Sequence, residues 1–328
     1  MTAFVTGGSG FVGGAVIRAL VAEGEAVRAL ARSAGATAAV EALGAEPVAG
    51  DLTDRAALAD AMDGCDVVYQ VAGVNRMCPR DPAELDATNI GGAVTAVQAA
   101  ADARVERLVL TSSSAAIGEP AGTVGTEDSV HRGRFLSPYE RSKYLGEREA
   151  RAAGRERGLE VVTVNPSSVQ GPGRTTGSAK LLLYAARART AVLLDTSFSI
   201  VDIDDCAAGH LLAARNGLAD HRYLLSGGSL TMRAAATLLR RLTGRPRRVV
   251  WVPRRLVQAA APLTGVVARA REDPAVCPAT IRALLHGHRY DGSRATRELG
   301  LVYRTLEDTL ERVLAWYRAR GMVPNPAA

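Results

Sequence analysis

The stretch Ala3-Phe4-Val5-Thr6-Gly7-Gly8-Ser9-Gly10-Phe11-Val12-Gly13 decides the fold. Its first four residues are a short run that reads as a buried strand, and Gly7, Gly10 and Gly13 follow with the spacing G-x-x-G-x-x-G. Val16, Ile17, Leu20 and Val21 then recur with the period of a helix. A tight glycine turn between strand and helix lets backbone N–H groups, with those of Phe11 and Val12, approach a pyrophosphate at the positive end of that helix. A glycine loop alone can be a plain turn. The strand before it and the helix after it favour the dinucleotide reading.

Outward from this stretch, apolar runs near residues 2–6, 26–31, 46–49, 66–71, 107–112 and 160–165 alternate with helical stretches. That is the β-α-β rhythm of a parallel sheet covered on both faces, and it predicts an α/β, Rossmann-type doubly wound fold. Beyond Gly171-Pro172-Gly173 the rhythm breaks into a helical stretch from Ser178 to Arg187, and Phe198–Asp205 is expected to return to the sheet before another helix.

At the end of the second strand, where an NAD-preferring site would place a carboxylate for the ribose hydroxyls, the chain offers Ala31 and then Arg32. A cation there accommodates a 2′-phosphate, so NADP(H) is favoured over NAD(H). A solvated arginine in an Arg-rich protein is the plainer alternative. Asp51 and Leu52, after the third strand, are placed to hydrogen-bond and cover the adenine edge.

The run Leu108-Val109-Leu110-Thr111-Ser112-Ser113-Ser114 is an apolar strand ending in hydroxyls at the carboxyl edge of the sheet, where such folds bind ligands. One of these serines can hydrogen-bond a carbonyl oxygen on which charge develops. A loop further on, Tyr139 and Lys143 stand four apart, on one face of a helix. Forty basic residues include two lysines, so a Lys kept at this spacing suggests a task a guanidinium cannot do. Its compact charge is expected to lower the phenol pKa and make Tyr139 a usable proton donor or acceptor.

Taken together, Thr6–Gly13, Gly50-Asp51-Leu52, Val71-Ala72-Gly73, Asn89-x-x-Gly92, Thr111-Ser112-Ser113, Tyr139-x-x-x-Lys143, Asn165-Pro166-Ser167-Ser168 and the closing Asp291–Gly300 resemble the extended short-chain dehydrogenases/reductases from end to end. Within them the chain is most similar to the group of dihydroflavonol reductases, 3β-hydroxysteroid dehydrogenases and hopanoid-associated epimerase-like proteins. The resemblance implies Tyr139 as general acid/base, Lys143 as its electrostatic partner and ribose ligand, and Ser113 as carbonyl-oxygen donor, with Ser114 as fallback. It implies that Pro166, Ser167, Ser168 and Val169 line the nicotinamide. Val71, Ala72, Gly73, Asn89 and Thr111 complete the cofactor set. It also implies a dinucleotide domain over residues 1–172, rejoined by 197–216, and a smaller, mostly helical substrate lobe from 173–196 and 217–328. A homodimer through the helices flanking the Tyr-Lys segment is common among such relatives. One departure is Gln70, where relatives often carry His before Ala-Ala or Ala-Gly. By position, Asn75, Arg76, Met77, Ser114, Gln170 and Thr176 are the candidate substrate contacts.

Composition is consistent with this reading. The chain has 328 residues and is 47% hydrophobic, enough for a sizeable core. It has no apolar run near membrane-span length, and Met1 leads almost at once into the first strand, so a cytoplasmic location is expected. Cys65, Cys78, Cys206 and Cys277 are scattered and read as unpaired thiols rather than disulfides or a metal site. His286-Gly287-His288 is discounted as a metal pair, and no metal is expected. The net charge of +6 conceals a split: residues 231–328 hold eighteen Arg against seven Asp or Glu, a balance of +11 that leaves −5 for the rest. An anionic or carrier-bound substrate is one explanation, and arginines on solvated helices the more ordinary one. Aromatics at 4% and the lack of a basic cluster interleaved with them give nucleic-acid binding no support. The apolar stretch Leu256–Val267, flanked by arginines, is expected to pack in the core or line the substrate cleft, with contact to a membrane surface as the lesser reading.

These readings lead to an NADPH-dependent reductase of a ketone or aldehyde on a small or medium organic molecule. The rival is a nucleotide-sugar epimerase or dehydratase with retained NAD(P). A non-catalytic NADPH-binding regulatory protein is the alternative of another class.

Overall fold

A computed structural model describes residues 1–244, 248–269 and 276–324. In chain order the elements begin with β1 (Thr2–Thr6), α1 (Phe11–Ala22), β2 (Ala26–Ala31), α2 (Ala34–Glu41), β3 (Glu46–Ala49), α3 (Arg55–Met62) and β4 (Val67–Gln70). A short α4 (Ala83–Leu85) widens into a π-turn over Asp86–Gly92 and continues as α5 (Ala93–Asp102), followed by β5 (Arg107–Thr111). Next come α6 (Pro138–Arg157), β6 (Glu160–Pro166), β7 (Ser168–Gln170), α7 (Ala179–Arg187), β8 (Thr190–Leu194), β9 (Ser197–Asp202) and α8 (Ile203–Asn216). The chain ends with β10 (Arg222–Leu225), β11 (Gly228–Thr231), α9 (Met232–Thr243), β12 (Arg248–Val252), α10 (Arg254–Arg269), α11 (Pro278–His286) and α12 (Leu306–Ala319).

Seven strands make one sheet in the order β10-β6-β5-β4-β1-β2-β3, and every adjacent pair is parallel. Side chains alternate across it, as the pleat requires. Ala3 and Val5 face a core with Val16, Ile17 and Leu20 of α1 and Leu211 of α8. Phe4, between them, faces the opposite core with Leu58, Met62, Val97 and Ala150. Both faces are therefore closed by helices, and the strand order reverses between β1 and β4. A doubly wound sheet opens its ligand crevice at that reversal, beyond the carboxyl ends of the strands. The six expected strands occupy these positions, and the Rossmann-type α/β class stands.

Four expectations are corrected. Phe198–Asp205 does not rejoin the main sheet: β9 pairs with β7 and β11 in a separate three-stranded sheet, and only α8 after it packs back against α1 and β6. The seventh strand is instead β10, from a stretch expected in the outer lobe. Helix α10 is not core: Leu256 and Leu263 are 61% and 70% exposed, and its main partner among the described elements is α11. The side chains of Val266 and Val267 lie outside the described residues. Finally, Cys78 and Cys277 form a disulfide with a Cα–Cα distance of 6.4 Å, while Cys65 and Cys206 are free and buried. The bridge joins residues 199 apart, the loop after β4 and the N-cap of α11, so no local spacing could announce it.

Part of the charge split is met by pairing across the chain. Arg233 bonds Asp195 (2.6 Å), Arg312 bonds Asp202 (3.0 Å) and reaches Asp204, Arg304 approaches Asp205 (3.5 Å), and Arg294 bonds Asp128. These four arginines of the C-terminal segment meet acids of the first 230 residues, so part of its basic excess is structural. Among the described residues, no helix is long and apolar enough to cross a membrane.

Candidate active site

The glycine loop fits a dinucleotide because it leaves no room for side chains where a phosphate would lie. Gly7 has φ +69°, and a Cβ on it would stand 2.7 Å from the Ala72 amide nitrogen. A Cβ on Gly13 would meet the Gly7 carbonyl oxygen at 2.2 Å. Gly10 is the N-cap of α1 and contributes no side-chain cap, so the first N–H groups of the helix point into the crevice beside Phe11 and Val12. Thr6 fixes the neighbouring strand end: its Oγ1 accepts from the Val71 and Ala72 amides at 3.1 and 3.0 Å. The same hydroxyl donates to Gln70 Oε1 at 2.5 Å, while Gln70 Nε2 donates to the Ala72 carbonyl. Gln70 therefore serves as a local tie at the position where relatives often have His.

Arg32 is 84% exposed at the rim, with Asp51 3.9 Å away. The Asp51 carboxylate accepts from the Thr53 amide and hydroxyl at 2.9 and 2.7 Å, and these bonds hold its pKa below the ordinary value. Leu52 is buried against Gly92, where a Cβ would meet its Cδ2 at 2.4 Å.

Ser137 caps α6, accepting from the Glu140 amide at 3.0 Å, and Pro138 occupies the first turn. This start places Tyr139 in the first turn and Lys143 one turn later, both half-buried and on the same face. The Ser113 side chain lies near enough to the Tyr139 hydroxyl to act on its titration. Ser113 is half-buried and N-caps a short 3₁₀ turn, accepting from the Ala115 amide at 3.2 Å. Ser114, the fallback, is buried and acts on the titration of Tyr290.

Lys143 Nζ donates to the Thr111 carbonyl at 2.7 Å and lies near Gly73 and Asn89, 3.7 Å from where a Gly73 Cβ would be. Burial depresses its pKa to about 8, with Glu147 acting in the other direction. Burial also pushes the Tyr139 phenol up, against the hydrogen bond from Ser113 and the charge of Arg174. The expected lowering of Tyr139 by Lys143 is thus not found in this arrangement, because the ammonium is engaged with Thr111 and the phenol is shielded from water.

Asn89 is buried in the π-turn. Its amide accepts from the Val74 N–H (2.8 Å) and donates to the Val74 carbonyl and Ser142 Oγ (both 2.9 Å). It therefore holds the loop after β4, with its Oδ1 3.1 Å from where a Gly73 Cβ would be. Asn165 Nδ2 donates to the Ser113 carbonyl (3.1 Å) and to Glu147 Oε2 (2.8 Å), which backs the serine from below. Thr111 Oγ1 stands 2.9 Å from Nε2 of the fully buried His210, whose Nδ1 is 2.7 Å from the Cys206 carbonyl. A carbonyl only accepts, so Nδ1 carries the proton and the threonine donates to Nε2. The sequence reading assigned no role to Asn165 or His210.

Pro166, Ser167 and Val169 are buried and Ser168 half-buried where β6 gives way to β7, beside the Ser113 backbone. Gln170 is buried, donating to Ser168 and Ser178 hydroxyls at 3.0 and 2.9 Å. Asn75, Arg76 and Thr176 are exposed and Met77 half-buried, with Arg76 paired to Glu84 at 2.9 Å. Arg174 had not been singled out. It donates to the Val169 carbonyl at 2.6 Å and sits 5.4 Å from the Phe11 ring centroid, and its positive charge acts on Tyr139.

A glycine-lined helix start at the strand-order reversal, next to a Ser-Tyr-Lys constellation, defines an NAD(P)-dependent oxidoreductase of the extended short-chain dehydrogenase/reductase type. The chain belongs to the NAD dependent epimerase/dehydratase family, whose model matches residues 3–225. It is 35% identical over 329 residues to sterol demethylase protein B of Methylococcus capsulatus, covering 98% of this chain and all of the relative. It is 34% identical to 4-hydroxy-2-methyl-3-oxo-4-farnesyl-3,4-dihydroquinoline-1-oxide ketoreductase of Stigmatella aurantiaca, covering 93% and 92%. Among solved structures it is similar to gox2253, with TM-score 0.85, 29% identity and coverage of 98% and 99%. The dTDP-glucose 4,6-dehydratase DesIV of Streptomyces venezuelae, solved with NAD, has TM-score 0.75, 26% identity and 98% coverage of both chains.

Proposed function

We propose that the protein is an NADPH-dependent reductase that converts a ketone or aldehyde on a small or medium organic molecule into the alcohol. The observation that carries this reading is the convergence of Ser113, Tyr139 and Lys143 beside the glycine cradle, where the Ser113 side chain acts on the Tyr139 phenol and Lys143 Nζ is held by the Thr111 carbonyl at 2.7 Å. Bound NADPH supplies the hydride in such chemistry. The residues of this chain do the rest. Ser113 holds the carbonyl oxygen, Tyr139 delivers a proton to that oxygen as negative charge develops on it, and the cation of Lys143 restrains the phenol and reaches the ribose side near Gly73. The backbone around Gly10 holds the pyrophosphate, and Arg32 selects the 2′-phosphate. Asn165 and Thr111 fix Ser113 and Lys143, so the donors need no rearrangement during reaction.

The names of relatives support reduction: a farnesylated-quinoline ketoreductase at 34% identity and a putative dihydroflavonol 4-reductase at 31% over 98% of the chain. The test is loss of reduced-nicotinamide absorbance with NADPH or NADH against a panel of ketones, aldehydes and nucleotide sugars. Stoichiometric NADPH consumption by one carbonyl class supports the reductase. Tightly retained NAD(H) with an isomerised sugar and no net consumption contradicts it.

A further inference from the structure

Behind Ser114, on the side away from the glycine loop, Glu119, His286 and His288 converge, and we propose that these three residues bind one divalent cation, zinc by preference. Glu119 follows β5, whereas the histidines end α11 and begin the next segment. Gly287 between them has φ +71°, a conformation that turns both imidazoles to one side, their ring centroids 4.8 Å apart. Glu119 Oε1 is 2.7 Å from His288 Nδ1 and 3.5 Å from His286 Nε2, and one ligand atom from each of the three residues lies within 4.8 Å of the others. The Glu119 and His286 side chains are 1% and 3% exposed.

Hydrogen bonding within the cluster leaves this geometry incomplete. Glu119 Oε2 and His286 Nε2 are both buried without a hydrogen-bond partner, and each such atom is costly in a dry interior. A cation between the three residues would engage both. Tetrahedral zinc, with bonds of about 2.0–2.1 Å, keeps its ligand atoms about 3.4 Å apart, so the widest separation has to close and the 2.7 Å Glu119–His288 contact has to open. Two imidazoles and a carboxylate are a ligand set this metal favours, and the Tyr290 hydroxyl, 3.0 Å from His288 Nδ1, or a water can take the fourth position. Two imidazolium rings packed against each other would repel, which counts against a purely ionic cluster.

The ion would join the turn after β5 to the end of α11, with the Tyr290 hydroxyl 3.0 Å from His288 Nδ1 beside it. None of the reductive steps proposed above needs it. Its role is to clamp the C-terminal segment against the site.

The experiment uses full-length, tag-free protein treated with chelator, then titrated with Zn2+ by calorimetry and with Co2+ by visible absorption. The expected result is one equivalent per chain, tetrahedral d–d bands without a thiolate charge-transfer band, and a rise of several degrees in the unfolding temperature. Glu119→Gln and His286→Asn should each weaken uptake by more than ~100-fold. Folded wild-type protein that takes up neither ion at micromolar concentration overturns the proposal. So does a thiolate band, which would place the ion on cysteine, or unchanged uptake in both variants. Because the wild-type titrations decide by themselves, a variant that fails to fold leaves the test intact.

Discussion

Lys143 Nζ stands 2.7 Å from the carbonyl oxygen of Thr111, the last residue of β5. The contact fixes the ammonium at the carboxyl edge of the sheet. It also ties the helix that carries Tyr139 to the strand that leads into Ser113, so three candidate catalytic groups are held close to one short linkage. Lys143→Met should lower kcat/KM by about 10²–10⁴-fold. Lys143→Arg should recover little of this, because the guanidinium fork does not fit the site of the compact ammonium. Steady-state kinetics at fixed pH, with dinucleotide affinity measured separately, checks both outcomes.

His210 makes the fold sensitive to acid. It is fully buried, and burial depresses its pKa to about 4, with the bond to the Cys206 carbonyl acting in the opposite direction. Between about 4 and the ordinary value of 6.5 the unfolded chain binds this proton and the folded chain does not. Stability contributed by the neutral ring is therefore complete above 6.5 and is lost as pH falls towards 4, by roughly 3 kcal/mol at most. Urea midpoints across this window should fall with pH, and His210→Phe should flatten the slope.

Gly13→Ala places a methyl group 2.2 Å from the Gly7 carbonyl oxygen, so the loop must move. The expected results are a stability loss of about 1–3 kcal/mol and dinucleotide affinity at least ~10-fold weaker. Thermal unfolding and fluorescence titration with NADPH measure the two effects separately.

Arg32 is exposed, with Asp51 as a loose ion-pair partner at 3.9 Å, placing a cation at the rim of the cofactor crevice. Arg32→Ser should weaken NADPH about 10–100-fold and leave NADH nearly unchanged. Equal weakening of both cofactors would mean the arginine does not read the 2′-phosphate.

The disulfide joins two distant loops, so reducing it should cost about 2–4 kcal/mol of stability. Unfolding midpoints with and without reductant measure this, and Cys277→Ser should abolish the difference.

The sheet and the glycine loop were legible in the sequence because their causes are local. Ala3–Thr6 alternate between two cores, and Gly13 has to be bare because it touches Gly7. Pairing partners are not local, and there the reading failed. Phe198–Asp202 looks like any buried strand, and nothing in it states that Ser168–Gln170 will lie beside it. Leu256 and Leu263 follow a helical period whether or not a core covers them. The site was legible to the same extent. Ser113, Tyr139 and Lys143 announce themselves by type and spacing, whereas Arg174 acts through a loop fold and Glu119 meets His288 from 169 residues away.

The central claim is a Tyr139-protonated reduction, and the most direct test follows deuterium from C4-deuterated NADPH with wild-type and Tyr139→Phe protein. The account predicts one label on the former carbonyl carbon for each NADPH consumed, with turnover reduced about 10²–10⁴-fold in the variant while NADPH still binds. Full turnover by Tyr139→Phe, or product formed with the cofactor retained and no label delivered, would contradict it.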